Sequence, residues 1–162
     1  LRLWVGTLAM NLLGGWVMTW LIVQGHPSLG REAIVAGYHF VKLGISLRAF
    51  CLALLGGAII TLMTWCQHST DSVGARMVSA ASSGFLLGAG QLNHVIVNSL
   101  LMFAALHTSH APFGYLAFAR IAGFAAIGNV LGGIGLVTLL RLLQAPHHLA
   151  SERTHAHGLP DM

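Results

Sequence analysis

Charge is nearly missing from this chain. Of its 162 residues only 7% are Asp, Glu, Lys or Arg while 56% are hydrophobic, and the mean hydropathy is +0.76. That balance leaves too little polar surface for a water-soluble globule and predicts an integral membrane protein. Carboxylates are scarcest, four in all, and none falls inside a long apolar run. An interior so poor in acids argues against an enzyme or an acidic metal cage, which would need further His, Cys, Asp or Glu at span depth. Cysteine is also sparse: Cys51 and Cys66 lie within and at the end of one apolar run, a spacing that suggests neither a disulfide framework nor a zinc motif. They read as packing residues. The eight basic residues give a formal charge of +4, but they are scattered singly at span ends, so nucleic acid is discounted as a partner.

What the chain does have is apolar length. A helix crossing the hydrocarbon layer needs about 20 apolar residues, and four stretches qualify: 3–23, 47–65, 77–106 and 115–143. The last two reach roughly 45 Å as continuous helix, well beyond a ~30 Å core, so each is expected to be tilted, extended or broken. In the third, Gly84, Gly88 and Gly90 stand with Ser79, Ser82 and Ser83 just ahead of a polar cluster, and a break is expected there. The connection from Gln24 to Ser46 is too polar to span and reads as a loop with a short interfacial helix. Residues 144–162, rich in His, Ser and Pro, form an expected disordered tail. Because the chain opens on Leu1 directly in an apolar segment, without a basic n-region, it reads as the carboxyl-terminal part of a longer protein rather than as one led by a signal peptide. Four spans put both ends on one side. Arg2, Arg76, Arg141 and Arg153 then balance Arg31, Lys42, Arg48 and Arg120, so the positive-inside count does not orient the chain.

Polar groups inside apolar runs need a reason. One element occurs twice, as Asn11-Leu-Leu-Gly14-Gly15 and Asn129-Val-Leu-Gly132-Gly133. Its amides can satisfy backbone groups where helices touch, and its glycines permit that touch. These six residues are read first as architecture. A related string, Ala53-Leu-Leu-Gly56-Gly57, lacks the Asn and is a weaker signal. Between the copies lies Gln91-Leu-Asn93-His94-Val-Ile-Val-Asn98. An ionisable residue at this depth is a functional hypothesis by default, and an imidazole exchanges protons close to neutral pH. His94 therefore suits the permeation of weak acids, in which an anion is drawn in, takes a proton and crosses an apolar constriction neutral. Asn98, four residues on, is expected on the same helical face, where it either orients the imidazole or bonds a neighbouring helix. Asn93 and Gln91 are expected to point elsewhere. Lys42 precedes the second span and can raise the local anion concentration, and Leu87 with Phe85 can form an apolar gate. The other reading of each is ordinary snorkelling or packing.

With these residues in view, the chain resembles the formate/nitrite transporter family. Gly88-Ala-Gly-Gln-Leu-Asn-His94-Val-Ile-Val-Asn98 is similar to its fifth-span signature, Gly128-Asn129-Val-Leu-Gly132-Gly133 to its last span, and Asn11-Leu-Leu-Gly14-Gly15 to its third. The resemblance implies spans three to six of an all-α, six-span protomer with a glycine-broken span, two inverted three-span repeats and an aquaporin-like architecture. It implies a homopentamer in a lipid bilayer, in the bacterial inner membrane, with one pore per protomer. The implied permeants are formate, nitrite, hydrosulfide or short carboxylates, and no cofactor is called for. In the same terms His94 would be the central pore histidine, Asn98 its companion, Lys42 the vestibule residue and Leu87 a constriction residue. A threonine-bearing broken span outside this chain would face His94. Two positions depart from the family pattern: Asn93 stands where an acidic residue is usual, and Gly57 where an Asn is common. The alternative to an anion channel or proton-coupled transporter is a structural or metal-binding membrane subunit.

Overall fold

The computed structural model describes residues 2–156, with side chains to residue 143 except at 141. Among these residues there are helices and no strands. They are α1 (Arg2–Gly25), α2 (Gly30–Leu43), α3 (Leu47–His68), α4 (Val73–Ala89), α5 (Val95–His107) and α6 (Tyr115–Ala156), with one 3-10 turn at Pro27–Leu29. Three helices, α1, α3 and α6 over Tyr115–Leu140, are long and apolar enough to cross a membrane. Their outer faces carry exposed Trp4, Leu13, Leu55 and Leu131, side chains at home in lipid or against further spans.

Helix ends follow local chemistry. Ser46 and Ser72 cap α3 and α4, each accepting from the backbone N–H three residues on, at 3.1 and 3.3 Å. The α2 helix stops at Gly44, whose φ of 61° is open to glycine without strain. The α6 helix continues to Ala156, past residue 143 and into the segment expected to be a disordered tail, while residues 157–162 lie outside the described residues.

The third apolar run, 77–106, is two helices with an irregular segment between them. The glycines are not all where the chain turns: Gly84 and Gly88 remain helical within α4. The turn comes at Gln91, with a φ of 47°. There the Gln91 N–H donates to the Gly88 carbonyl at 3.1 Å and the Leu92 N–H to the Leu87 carbonyl at 3.0 Å. These two bonds form a Schellman motif, which closes a helix by turning one residue left-handed and satisfying its last carbonyls. The residue turned here is a glutamine. The preceding Gly90 has its own reason to be glycine, since a Cβ there would lie 2.7 Å from the Leu86 carbonyl oxygen.

The helices form two closely packed groups. In one, α2 and α1 lie against α5. A Cβ on Gly37 of α2 would fall 2.8 Å from the Leu101 carbonyl, and Phe40 packs with Met102 of α5 and Ile121 of α6 in a small core. The Gln24–Ser46 connection thus holds a helix docked on the bundle rather than one confined to the interface, because its apolar face matches α5. His107 at the end of α5 donates through Nε2 to the Trp16 carbonyl at 3.0 Å, and Trp16 Nε1 donates to the Tyr115 hydroxyl at 3.0 Å. These bonds tie α1 to both neighbours.

In the other group α3 lies on α6, and the contact runs backbone to backbone. A Cβ on Gly57 would overlap the Asn129 carbonyl, one on Gly132 the Leu54 carbonyl, and one on Gly128 the Ala53 methyl. The paired positions rise together along both helices, so α3 and α6 run parallel.

Candidate functional site

The break is held from three directions. Its own backbone supplies little, since His94 sits at the α5 N-cap with φ −97° and ψ 122° and its side chain makes no capping bond. The first free N–H of α5, on Val95, is capped instead by Asn129 Oδ1 of α6 at 2.8 Å. The same amide donates through Nδ2 to the carbonyls of Ala53 and Asn93, both at 2.8 Å. One side chain thus joins α3, the break and α5. It reaches all three because Gly57 and Gly128 let the helices approach.

Asn93 does the complementary work. It is 1% exposed. Its Nδ2 donates to the Ala49 carbonyl at 3.2 Å, its backbone N–H donates to the Leu52 carbonyl at 3.3 Å, and its Oδ1 accepts from Asn98 Nδ2 at 2.6 Å. A carboxylate here would accept from Asn98 but would face the Ala49 oxygen with no proton to offer, at the cost of burying a charge. The amide therefore fits its surroundings. So does Gly57, because an Asn at that position would collide with the backbone of Asn129.

The sequence-derived candidates fall into separate places. His94 lies in the irregular segment rather than on the α5 face it was expected to share with Asn98. The Asn98 amide goes to Asn93 rather than to the imidazole, because Asn93 folds inward and reaches it first. Two buried polar atoms, His94 Nδ1 and Asn98 Oδ1, are left without a hydrogen bond among the described residues. Leu87 is buried and lines a cavity of about 230 Å³ together with Asn98, Leu101 and Val97. Phe85, 71% exposed, lies outside it. Lys42 is exposed, its Nζ 5.0 Å from the Tyr38 ring centre, and lines an adjoining cavity of about 560 Å³. His94 lines neither cavity.

The two Asn-Gly-Gly elements behave differently. Asn129, Gly132 and Gly133 meet α3, with Thr61 Oγ1 2.6 Å from where a Gly133 Cβ would stand. Asn11 is exposed and donates only to the Thr7 carbonyl of its own helix at 3.0 Å, and Gly14 has nothing near it. Of that copy's two glycines, Gly15 meets another helix, at the Leu100 side chain, and Gly14 does not. The weaker string Ala53–Gly57 is the true counterpart of the second copy. Cys51 and Cys66 are exposed rather than packed. Asn93 was legible only as a polar residue in an apolar run; its inward turn depends on φ and ψ values that no spacing reveals.

The family model for formate/nitrite transporters matches residues 1–143, nearly all of the described chain. The chain belongs to the formate/nitrite transporter family. No curated protein and no solved structure matches it significantly. Membership in a transporter family, with three helices long and apolar enough to cross a bilayer, makes this an integral membrane protein of a transporter family. In this formate/nitrite transporter family member, the irregular backbone between α4 and α5 is stitched by two amides, Asn93 and Asn129.

Proposed function

We propose that the protein is a channel or proton-coupled transporter for small monovalent weak-acid anions such as formate, nitrite, hydrosulfide or short carboxylates, with His94 as its central exchanging group. The observation that carries this reading is the pair of unpartnered buried atoms, His94 Nδ1 and Asn98 Oδ1, beside a span break that other side chains already stabilise. The break does not need these two atoms for its own structure. Leaving a buried polar atom unbonded costs about 1–3 kcal/mol, a cost that an arriving permeant or a facing span would offset.

In this mechanism the anion is drawn through the vestibule bearing Lys42, passes the narrow chamber lined by Leu87 and Asn98, and then meets the imidazole. A proton on a His94 ring nitrogen passes to an oxygen of the anion, or to the sulfur of hydrosulfide, the N–H bond breaking as the O–H or S–H bond forms. The neutral acid then crosses the apolar remainder of the path, and the neutral imidazole recovers a proton delivered as hydronium from the aqueous side. We further propose, from the family resemblance, the six-span inverted-repeat, aquaporin-like protomer, its assembly as a homopentamer, and residence in a bacterial inner membrane.

The test is uptake of formate and nitrite by proteoliposomes containing the full-length protein, measured from pH 5 to 8 beside His94→Ala. Wild-type flux should rise as pH falls, and the variant should lose that dependence while assembling normally. Equal flux of the two proteins at every pH would remove His94 from the mechanism.

A further inference from the structure

The two cavities lie side by side along one face of α2. The larger is lined by Arg31, Glu32, Tyr38 and Lys42, the smaller by Leu87, Leu92 and Asn98. Ala36, His39 and Gln91 line both. On α2, Gly37 and Phe40 are pressed against α5 and the core, which turns His39 and Lys42, three residues apart, toward the cavities on a shared face.

Chemistry changes sharply between the two cavities. The larger carries two cationic side chains and one carboxylate, all from α2. The smaller is apolar apart from His39, Gln91 and Asn98. Among the described residues, neither α4, the break nor α5 brings a charged or titratable side chain to either cavity. The groups facing His39 are therefore Arg31, Glu32, Tyr38 and Lys42 from its own helix, and amides from the others. His39 makes no intrachain hydrogen bond among the described residues, its ring standing edge-on to Phe40 at 5.1 Å. Gln91 is committed through its backbone to the Schellman turn, and its side chain lines both cavities.

We propose that His39, assisted by the Gln91 amide, is the transfer point at which a small oxyanion leaves the Lys42 vestibule and enters the Leu87–Asn98 chamber. The inference rests on the transport reading of the site and adds to it a second histidine, on the entry side. An imidazole N–H and an amide NH2 are both donors suited to carboxylate or nitrite oxygens. They replace the water that the anion gives up as it leaves the wide cavity for the narrow one. Asn98 Oδ1, an acceptor, faces the next stage and favours a ligand that carries a proton. His39 is a positioning and selecting group here, and proton exchange stays with His94.

The test uses the full-length protein in proteoliposomes. In a background with its other cysteines replaced by alanine, His39→Cys should react with a membrane-impermeant anionic thiosulfonate added on one face, and formate should slow that reaction. No reaction from either face, in correctly assembled protein, would overturn the proposal, because His39 would then line no aqueous path. In parallel, His39→Ala should raise the half-saturating formate concentration roughly tenfold, the loss expected of one hydrogen bond to a charged group, with the maximal rate little changed. His39→Gln, which keeps a donor, should recover most of that loss. An unchanged half-saturation in His39→Ala would also overturn it. Wild-type vesicles passing neither formate nor nitrite would overturn the transport reading itself, an outcome the labelling result separates from failure at His39.

Discussion

At the scale of single residues, Gln91 is, with Ser109, one of two described non-glycine residues with positive φ. It occupies the left-handed C′ position of a Schellman motif, where a β-carbon crowds the backbone and glycine is usual. Gln91→Gly should therefore stabilise the α4 terminus by roughly 1 kcal/mol. The check is thermal unfolding of the purified full-length protein in detergent, and a melting temperature at or below wild type would show that the glutamine side chain contributes more than its backbone costs. Residue-scale reading of the sequence located His94, Asn98, Asn129 and Leu87 because each is out of character with its surroundings or fits a spaced motif. It did not find His39 or the role of Asn93. His39 sits in a connection too polar to span, where a histidine attracts no notice, and only the docking of α2 on α5 aims it at a cavity. Asn93 needed the turn at Gln91, which lets its amide reach Ala49 and Asn98.

At the scale of elements, the parallel contact between α3 and α6 is the feature on which the break depends. Its glycines can be graded by what a methyl group would meet. Gly57→Ala places a carbon on the Asn129 carbonyl and Gly132→Leu drives a larger group into the Leu54 backbone, whereas Gly14→Ala meets nothing within 4 Å. The first two should separate the helices, pull Asn129 away from Val95 and lower assembly and thermal stability, and overpacking of this kind typically costs about 1–3 kcal/mol. Gly14→Ala should leave both unchanged. Size-exclusion profiles and melting temperatures of the three variants provide the check, and equal behaviour of Gly57→Ala and Gly14→Ala would refute the close contact. Spacing alone ranked these glycines differently, favouring the two copies that carry Asn over Ala53–Gly57. A small-residue string announces that helices can approach but not which partner does, so the copy at Gly14 looked equal to the one at Gly132. The break, by contrast, was expected from the glycines and serines just ahead of the polar cluster, length alone having left both long runs tilted, extended or broken. Its exact turn was not, because a glutamine rather than a glycine makes it.

At the scale of the whole molecule, electrostatics decides how an anion finds the path. The chain carries a formal +4 with few acids, and the cavity that opens at α2 gathers Lys42 and Arg31 against one carboxylate, Glu32. Low-dielectric walls focus such a field and raise the local anion concentration. Lys42 is exposed, so its contribution should be long-ranged and screened rather than a fixed contact. Lys42→Gln is then expected to raise the half-saturating formate concentration several-fold at ~10 mM salt, where the Debye length is about 30 Å. The difference should nearly vanish toward 1 M salt, where that length shrinks to about 3 Å. The maximal rate should hold, because the lysine acts before the anion enters the narrow chamber. Concentration-dependent formate uptake at the two ionic strengths separates the possibilities. A defect that persists at high salt would mean that Lys42 binds the anion directly, while no defect at low salt would mean that the anion enters without passing this face of α2.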